Sequence, residues 1–261
     1  MLIKPIKINL DEYPFSIRPY LQNAKVFDSS CSDSAKVIYS DKDNGYFIKS
    51  SSRGELSLES TMTQYFHSIG LSAKVCEYFC DGEKDWLVTE KIRGVDGISP
   101  IYLNDGKKLT DILSQTLRQL HSLDISDCPI KNRLEIYLGN AEKNYLAGIC
   151  DKKLLKESGF DSPCKAREFI KSNAALLKNN TLIHGDYCLP NVIFDGWKLS
   201  GFIDLGYSGI NDRHIDIYWG IKTLQYNLKT NAFAQRFIDV YGKDKVDKET
   251  LRTIAAIEIF G

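Results

Sequence analysis

Thr181-Leu-Ile-His-Gly-Asp-Tyr-Cys-Leu-Pro-Asn-Val-Ile-Phe-Asp-Gly-Trp-Lys-Leu-Ser-Gly-Phe-Ile-Asp204 is the stretch that decides the fold. Residues 181–184, 191–194 and 198–204 read as short strands, and Asp195-Gly196 is turn chemistry between the last two. Helical patterns lie on both sides. Hairpin strands set among helices, with polar residues at both ends, are a costly arrangement unless they hold a site.

Working outward, residues 110–123 place Ile112, Leu113, Leu117 and Leu120 on one helical face behind Thr110 as a cap. Further helices are predicted over 134–147, 166–177, 212–225, 230–241 and 248–260. The first third is strand-rich. Residues 35–39 and 45–49 flank Asp41-Lys-Asp-Asn-Gly45 as a hairpin, and 74–79 and 86–90 flank Asp81-Gly82. Between the pairs, 55–69 sets Met62, Phe66 and Ile69 at helical spacing. Ile92-Arg-Gly-Val-Asp-Gly97 breaks the pattern. The reading is an α+β chain of two lobes, 1–92 strand-rich and 93–261 mainly helical, and 261 residues suffice for a core in each.

Lys plus Arg and Asp plus Glu number 34 each, so the overall charge points to neither nucleic acid nor an anionic membrane surface. Seven cysteines without a C-x-x-C pair read as reduced thiols of a cytoplasmic protein. No apolar run approaches the roughly 20 residues of a membrane-spanning helix. The expected partners are a nucleotide and a small molecule, with no obligate protein partner.

Phosphoryl transfer needs an oriented acceptor hydroxyl, clamped phosphates and Mg²⁺ on hard oxygen ligands. In His184-x-Asp186-x-x-x-x-Asn191 a loop between strands can aim Asp186 at the hydroxyl while Asn191 turns toward a metal. Asp204, followed by Gly206, supplies the anionic ligand across the hairpin. The spacing is that of a kinase catalytic loop and its metal-binding Asp, with Ile-Asp-Leu-Gly for Asp-Phe-Gly. Either half alone is ordinary turn sequence, but six fixed positions coincide by chance about once in 10⁷ to 10⁸ starts. Lys49, at a strand end, and Glu59, in the next helix, are the candidate phosphate-positioning pair; Glu55 is the rival carboxylate.

On these residues the chain resembles the aminoglycoside phosphotransferases, most closely the 3′-phosphotransferase group. The carrying segments are His184-Gly-Asp-Tyr-Cys-Leu-Pro-Asn191, Gly196-Trp-Lys-Leu-Ser-Gly-Phe-Ile-Asp-Leu-Gly206, Asp212-Arg-His-Ile-Asp216 and Leu120-His-Ser-Leu-Asp-Ile-Ser-Asp-Cys-Pro129. The resemblance implies a bilobal protein-kinase-like fold, ATP or GTP as donor, Mg²⁺, and a sugar hydroxyl of an aminocyclitol antibiotic as acceptor. It makes Asp186 the catalytic residue, Asn191 and Asp204 the metal ligands, and Lys49 with Glu59 the phosphate clamp. Phe47 would stack on the adenine, though it reads equally as a core aromatic. Thr89, Lys91 and Ile92 would form the hinge. Ser32 and Ser34 would reach the phosphates, or serve as plain turn residues. His184 and Asp216 would support the loop, and Glu157, Asp161, Glu258 and Phe260 would line the acceptor site, though each acid alone is an ordinary surface residue.

Three features depart from the family pattern. Tyr207 stands where an Arg is usual, and the chain ends Ile257-Glu-Ile-Phe-Gly261, one acid short and one glycine long. Residues 93–261 hold 23 Lys plus Arg against 21 Asp plus Glu, without the acidic bias a polycationic acceptor favours. A kinase of the same fold acting on another small alcohol therefore stays open. A nucleotide-binding pseudokinase is disfavoured because Lys49, Asp186, Asn191 and Asp204 are all kept.

Overall fold

The turn at Asp41 to Gly45 closes a hairpin whose residues alternate in burial. In the computed structural model, which describes residues 4–31 and 35–261, this hairpin is the centre of a larger antiparallel sheet. Its strands are β1 (Lys4–Ile6), β2 (Val26–Asp28), β3 (Lys36–Ser40), β4 (Tyr46–Ser52), β5 (Val75–Cys80) and β6 (Lys84–Glu90), in the order β1-β2-β3-β4-β6-β5. Tyr13, Ile17, Leu21, Val26, Ile38, Ile48, Trp86 and Val88 form the core against it, with Ile17 and Leu21 at the short helix α1 (Arg18–Leu21).

Helix α2 (Ser57–Ser68) follows β4 and buries Met62 and Phe66 completely. Ile69, expected on the same stripe, is instead 40% exposed, because the helix ends at Ser68 and the chain turns through Gly70 at φ +76°. Strand β7 (Val95–Asp96), too short to read from sequence, pairs with the hairpin β9 (Val192–Asp195) and β10 (Lys198–Phe202) in the order β10-β9-β7. A Cβ on Gly94, at φ +113°, would lie 2.2 Å from the Phe194 carbonyl oxygen, so only glycine lets the strands approach.

By compactness the chain forms two units: the described residues up to Ile98 with Pro190–Gly206, and Ser99–Leu189 with Tyr207–Gly261. The expected break after Ile92 put 93–98 and 190–206 with the helical half. The compact units group both segments with the sheet's unit, where the Phe202 amide at the end of β10 donates to the Leu71 carbonyl at 2.8 Å.

The second unit contains α3 (Pro100–Leu103), α4 (Gly106–Leu120), α5 (Arg133–Leu146), α6 (Lys152–Glu157), α7 (Pro163–Asn173), α8 (His214–Leu228), α9 (Ala234–Tyr241) and α10 (Lys248–Ile257). Helix α4 starts earlier than expected, because Asp105 rather than Thr110 caps it, accepting from the Lys108 amide at 3.0 Å. Thr110 lies inside and bonds back to the Gly106 carbonyl at 2.6 Å. Helix α8 ends on Lys229 in the left-handed region at φ 55°. Strand β8 (Thr181–Ile183) pairs with β11 (Gly209–Asn211), not with the hairpin. Ile183, Ile215, Tyr218, Ile254, Ile257, Ile259 and Phe260 are among the residues of this unit's core.

Candidate active site

In the first unit, the β4 register sets Lys49 opposite Val37 and Leu87 in the middle of the sheet. Its Nζ lies 2.7 Å from Glu59 Oε2 on α2 and 2.8 Å from Asp204 Oδ1 beyond β10. Glu55, the rival, accepts instead from the Ser51 hydroxyl at 2.8 Å. Burial works to lower the Lys49 pKa, but the two carboxylates outweigh it and hold the ammonium charged. Burial pushes Glu59 up, and the nearby Asp204 charge adds to this against Lys49. One cation thus serves two carboxylates.

Asp204 is a non-glycine residue at φ +59°, a strained conformation held by its surroundings. The Ile203 amide donates to the Asn191 carbonyl at 3.0 Å, so the residues before and across from Asp204 are tied by one backbone bond. Among the described residues no group of three or more His, Cys, Asp or Glu side chains could hold a metal. Asn191 and Asp204 offer one amide and one carboxylate oxygen donor, the sparse hard set that suits Mg²⁺ when phosphate oxygens and water complete its shell.

Phe47 is half-buried, 5.1 Å from the Tyr39 ring centroid and paired across the ladder with Thr89. The Lys91 amide donates to the Gly45 carbonyl at 2.9 Å, and the Ile92 side chain packs over Gly201. Ser32 and Ser34 lie outside the described residues. Next to them, Asp28 Oδ1 accepts from the Ser30 amide at 2.9 Å.

In the second unit, the loop beginning at His184 is fixed from α8 and α4. Asp216, fully buried on α8, accepts from the amides of His184 and Gly185 at 2.7 and 2.8 Å and contacts His121 Nε2 at 3.0 Å. Burial lowers the His121 pKa although Asp216 pulls the other way, and its Nδ1 meets the Tyr241 hydroxyl at 2.8 Å. The Asp186 amide donates to His184 Nδ1 at 3.3 Å. The Tyr187 hydroxyl donates to the Leu113 carbonyl at 2.8 Å, and the Leu189 amide to Thr223 Oγ1 at 3.0 Å. Gly185 is at φ +87°, and a Cβ there would lie 2.1 Å from the Tyr207 carbonyl oxygen. Burial pushes the Cys188 thiol up, and the adjacent Asp186 charge adds to this.

Glu258 is 8% exposed and accepts from the Tyr137 hydroxyl at 2.7 Å, with Trp219 as a second donor. Burial, reinforced by the Asp186 charge, pushes its pKa up to about 7 despite those two donors. Glu157 is engaged by Lys222 at 2.7 Å. Asp161 is exposed in a surface depression lined by Phe160, Lys165, Glu168 and Arg252, among others, and Glu258 is not part of that lining. The Phe260 side chain is in the core, edge-on to Tyr145 at 5.6 Å, and its carbonyl accepts from the Asn144 side chain at 2.8 Å. Asp161 and Phe260 are thus set in different surroundings, one exposed and one in the core. The guanidinium of Arg133 lies 5.8 Å from the Tyr207 ring centroid, so a cation does stand beside the position that lacks the usual Arg.

His121, Tyr137, Trp219 and Thr223 were not singled out from sequence. A signal existed for two of them: Asp216, Trp219 and Thr223 follow a three-then-four spacing that puts them on one stripe of α8.

A sequence profile of the APH phosphotransferase enzyme family matches residues 24–254. A probable aminoglycoside 3′-phosphotransferase of Lactococcus lactis subsp. lactis (strain IL1403) is 39% identical over 259 residues, covering 99% of either chain. An aminoglycoside 3′-phosphotransferase of Niallia circulans is 32% identical over 179 residues, 69% of this chain and 68% of that one. Among solved structures, an aminoglycoside-3′-phosphotransferase of type VIII shares the fold with a TM-score of 0.79 at 21% identity, over 97% of this chain and 99% of that one. The aminoglycoside phosphotransferase APH(4)-Ia, in a ternary complex with AMP-PNP and hygromycin B, does so at 0.70 and 13% identity, over 94% and 87%. No helix among the described residues is long and apolar enough to cross a membrane. With its profile match running through both compact units and a relative aligned over almost every residue, the chain belongs to the aminoglycoside phosphotransferase family of protein-kinase-like phosphotransferases.

Proposed function

We propose that this protein moves the γ-phosphoryl group of Mg-ATP onto the 3′-hydroxyl of an aminoglycoside antibiotic and so confers resistance to it. The observation that carries the reading is the Lys49 ammonium bonded to both Glu59 and Asp204, at 2.7 and 2.8 Å, which is the preformed clamp of a kinase. Lys49 binds the α- and β-phosphates, and Glu59 fixes its position. Asn191 and Asp204 hold Mg²⁺, which when bound shields the charge between donor phosphates and site. Phe47, Thr89, Lys91 and Ile92 receive the base. Asp186 accepts the hydroxyl proton as the hydroxyl oxygen forms its bond to the γ-phosphorus; the bond to the β,γ-bridging oxygen breaks and ADP leaves. Gly185 and Asp216 keep that carboxylate's backbone in place. An ammonium-bearing acceptor would draw Glu258 into its ionised form. The reaction suits the cytoplasm, where Mg-ATP is abundant and its seven thiols stay reduced.

The test is coupled ADP release from purified protein with kanamycin- and neomycin-type compounds, with ATP and GTP compared as donors. Turnover should be seen with ATP, and Asp186→Asn should lower kcat by about 10²–10⁴-fold. Turnover of choline, sugars or homoserine with none on any aminoglycoside would instead assign the site to a metabolite alcohol. The observation favouring that second reading is the ion pair between Lys222 and Glu157, which neutralises one of the expected acids.

A further inference from the structure

Lys222 is a cation set among residues that hold the loop from His184 and the end of the chain. With Trp219 and Thr223 it follows the i, i+3, i+4 spacing of one face of α8. On that face Trp219 donates to Glu258, and Thr223 Oγ1 accepts from the Leu189 amide at 3.0 Å. Lys222 Nζ itself lies 2.7 Å from Glu157 Oε2 and 5.6 Å from the Tyr218 ring centroid, so two contacts pin it. Glu157 ends α6, and bonds on both sides tie that helix to the C-terminal segment. The Asp151 amide donates to the Ile259 carbonyl at 2.8 Å, and the Ser158 hydroxyl to the Ala255 carbonyl at 3.4 Å. The ion pair is open to solvent, with 27% of the Lys222 side chain and 39% of the Glu157 side chain exposed. The bond from Lys222 holds the Glu157 carboxyl below its ordinary pKa. Lys153, a second cation near it, stands 4.0 Å off with its side chain 75% exposed.

We propose that Lys222 is a specificity-determining residue, whose ammonium occupies the place on Glu157 that an ammonium of the acceptor would otherwise take. This rests on the aminoglycoside reading. A carboxylate already bonded to a fixed cation has little attraction left for a second one, and the two ammonium groups repel each other. The wild type therefore does not favour an amino group over a hydroxyl at that place, and the most highly charged acceptors lose their advantage.

The experiment compares wild type with Lys222→Met, which keeps an unbranched side chain along the Tyr218 ring and drops the charge. The acceptor is a neomycin-type compound, and turnover is read as ADP release. Lys222→Met should lower the KM for the acceptor about fivefold, the scale of a partly exposed ion pair, without a matching change in kcat or in the KM for ATP. That gain should shrink in about 1 M salt, where exposed charges are screened. Adding Glu157→Gln to Lys222→Met should return the KM toward the wild-type value, whereas Glu157→Gln alone should change it less. Lys222→Arg, which keeps the charge, should not show the gain. Lys222→Gln should show it, and serves if the methionine variant does not fold. An acceptor KM unchanged or raised in a folded charge-free variant, loss of activity in that variant, or a Glu157→Gln effect equally large with Lys222 present overturns the proposal. A wild type inactive on every aminoglycoside instead defeats the functional reading itself, and this inference falls with it.

Discussion

Lys49 shows how one side chain makes two others useful. Without it, Glu59 would be a carboxylate only 8% exposed beside a second carboxylate, Asp204, with no cation between them. We expect Lys49→Ala to lower kcat/KM for ATP by about 10²–10³-fold, through loss of a preorganised charge. The same variant should lower Tm, because Glu59 stays buried and unpaired. Steady-state kinetics with thermal melting separate the two effects, and a variant with near-normal turnover removes Lys49 from the site. Glu258 makes the opposite trade. Its folded pKa of about 7 lies above the ordinary 4.5, so its contribution to stability is whole below pH 4.5 and is lost as the pH rises through 7. Across that window the wild type should lose roughly 3 kcal/mol relative to Glu258→Gln, read by urea unfolding at several pH values. Equal slopes for the two proteins would show that Glu258 titrates normally. At this scale the meeting of Lys49 with Glu59 was legible from their places on a strand end and the next helix, whereas Asp204, read as a metal ligand, was not expected to share that lysine. The acceptor half was less so. Phe260, expected among the acceptor-site residues, has its ring in the core, because a C-terminal apolar residue carries no sign of which way it turns.

Helix α8 is the element on which the loop from His184 to Leu189 hangs. Asp216 takes two loop amides, and seven residues on, about two turns, Thr223 takes a third, so the helix acts as a rigid ruler beside the loop. Asp216→Asn keeps the shape but turns one accepting oxygen into a donor that faces an amide. Leaving one buried N–H unpaired should cost about 1–3 kcal/mol, and a loosened Asp186 should lower kcat with little change in the KM for ATP. Thermal denaturation and kinetics of the one variant check both parts; a kcat equal to wild type would mean the loop holds itself. The hairpin β9–β10 and helix α4 were legible because period and turn chemistry agree locally. Pairing of β8 with β11 was not, since three-residue strands carry no register signal and their partner lies far along the chain. Helix α6 was missed for a related reason. Six residues with four charges show no apolar stripe, and what starts the helix is Asp151 accepting from the amides of Lys153 and Leu154.

For the whole molecule, Lys49, Glu59 and Asp204 lie in one compact unit and the loop from His184 to Leu189 in the other, and the chain passes between them within the sequence that reads as a kinase signature. Ligands of the two units should therefore stabilise the protein separately. Mg-ATP at about 100 times its Kd should add roughly 2.7 kcal/mol, seen as a rise in Tm. Chelation with EDTA should remove most of that rise while leaving any shift caused by an aminoglycoside alone. Loss of both shifts on chelation would mean that the metal also organises the acceptor site. On the proposed function, Glu258 is the group through which pH reaches the acceptor. A buried carboxyl half-protonated near neutrality must give up its proton when a cation settles beside it. Uptake of the antibiotic then becomes an exchange of one positive charge for another. Its affinity should climb as the medium turns alkaline through pH 7, and the heat of binding should vary in proportion to the ionisation enthalpy of whichever buffer receives the displaced proton.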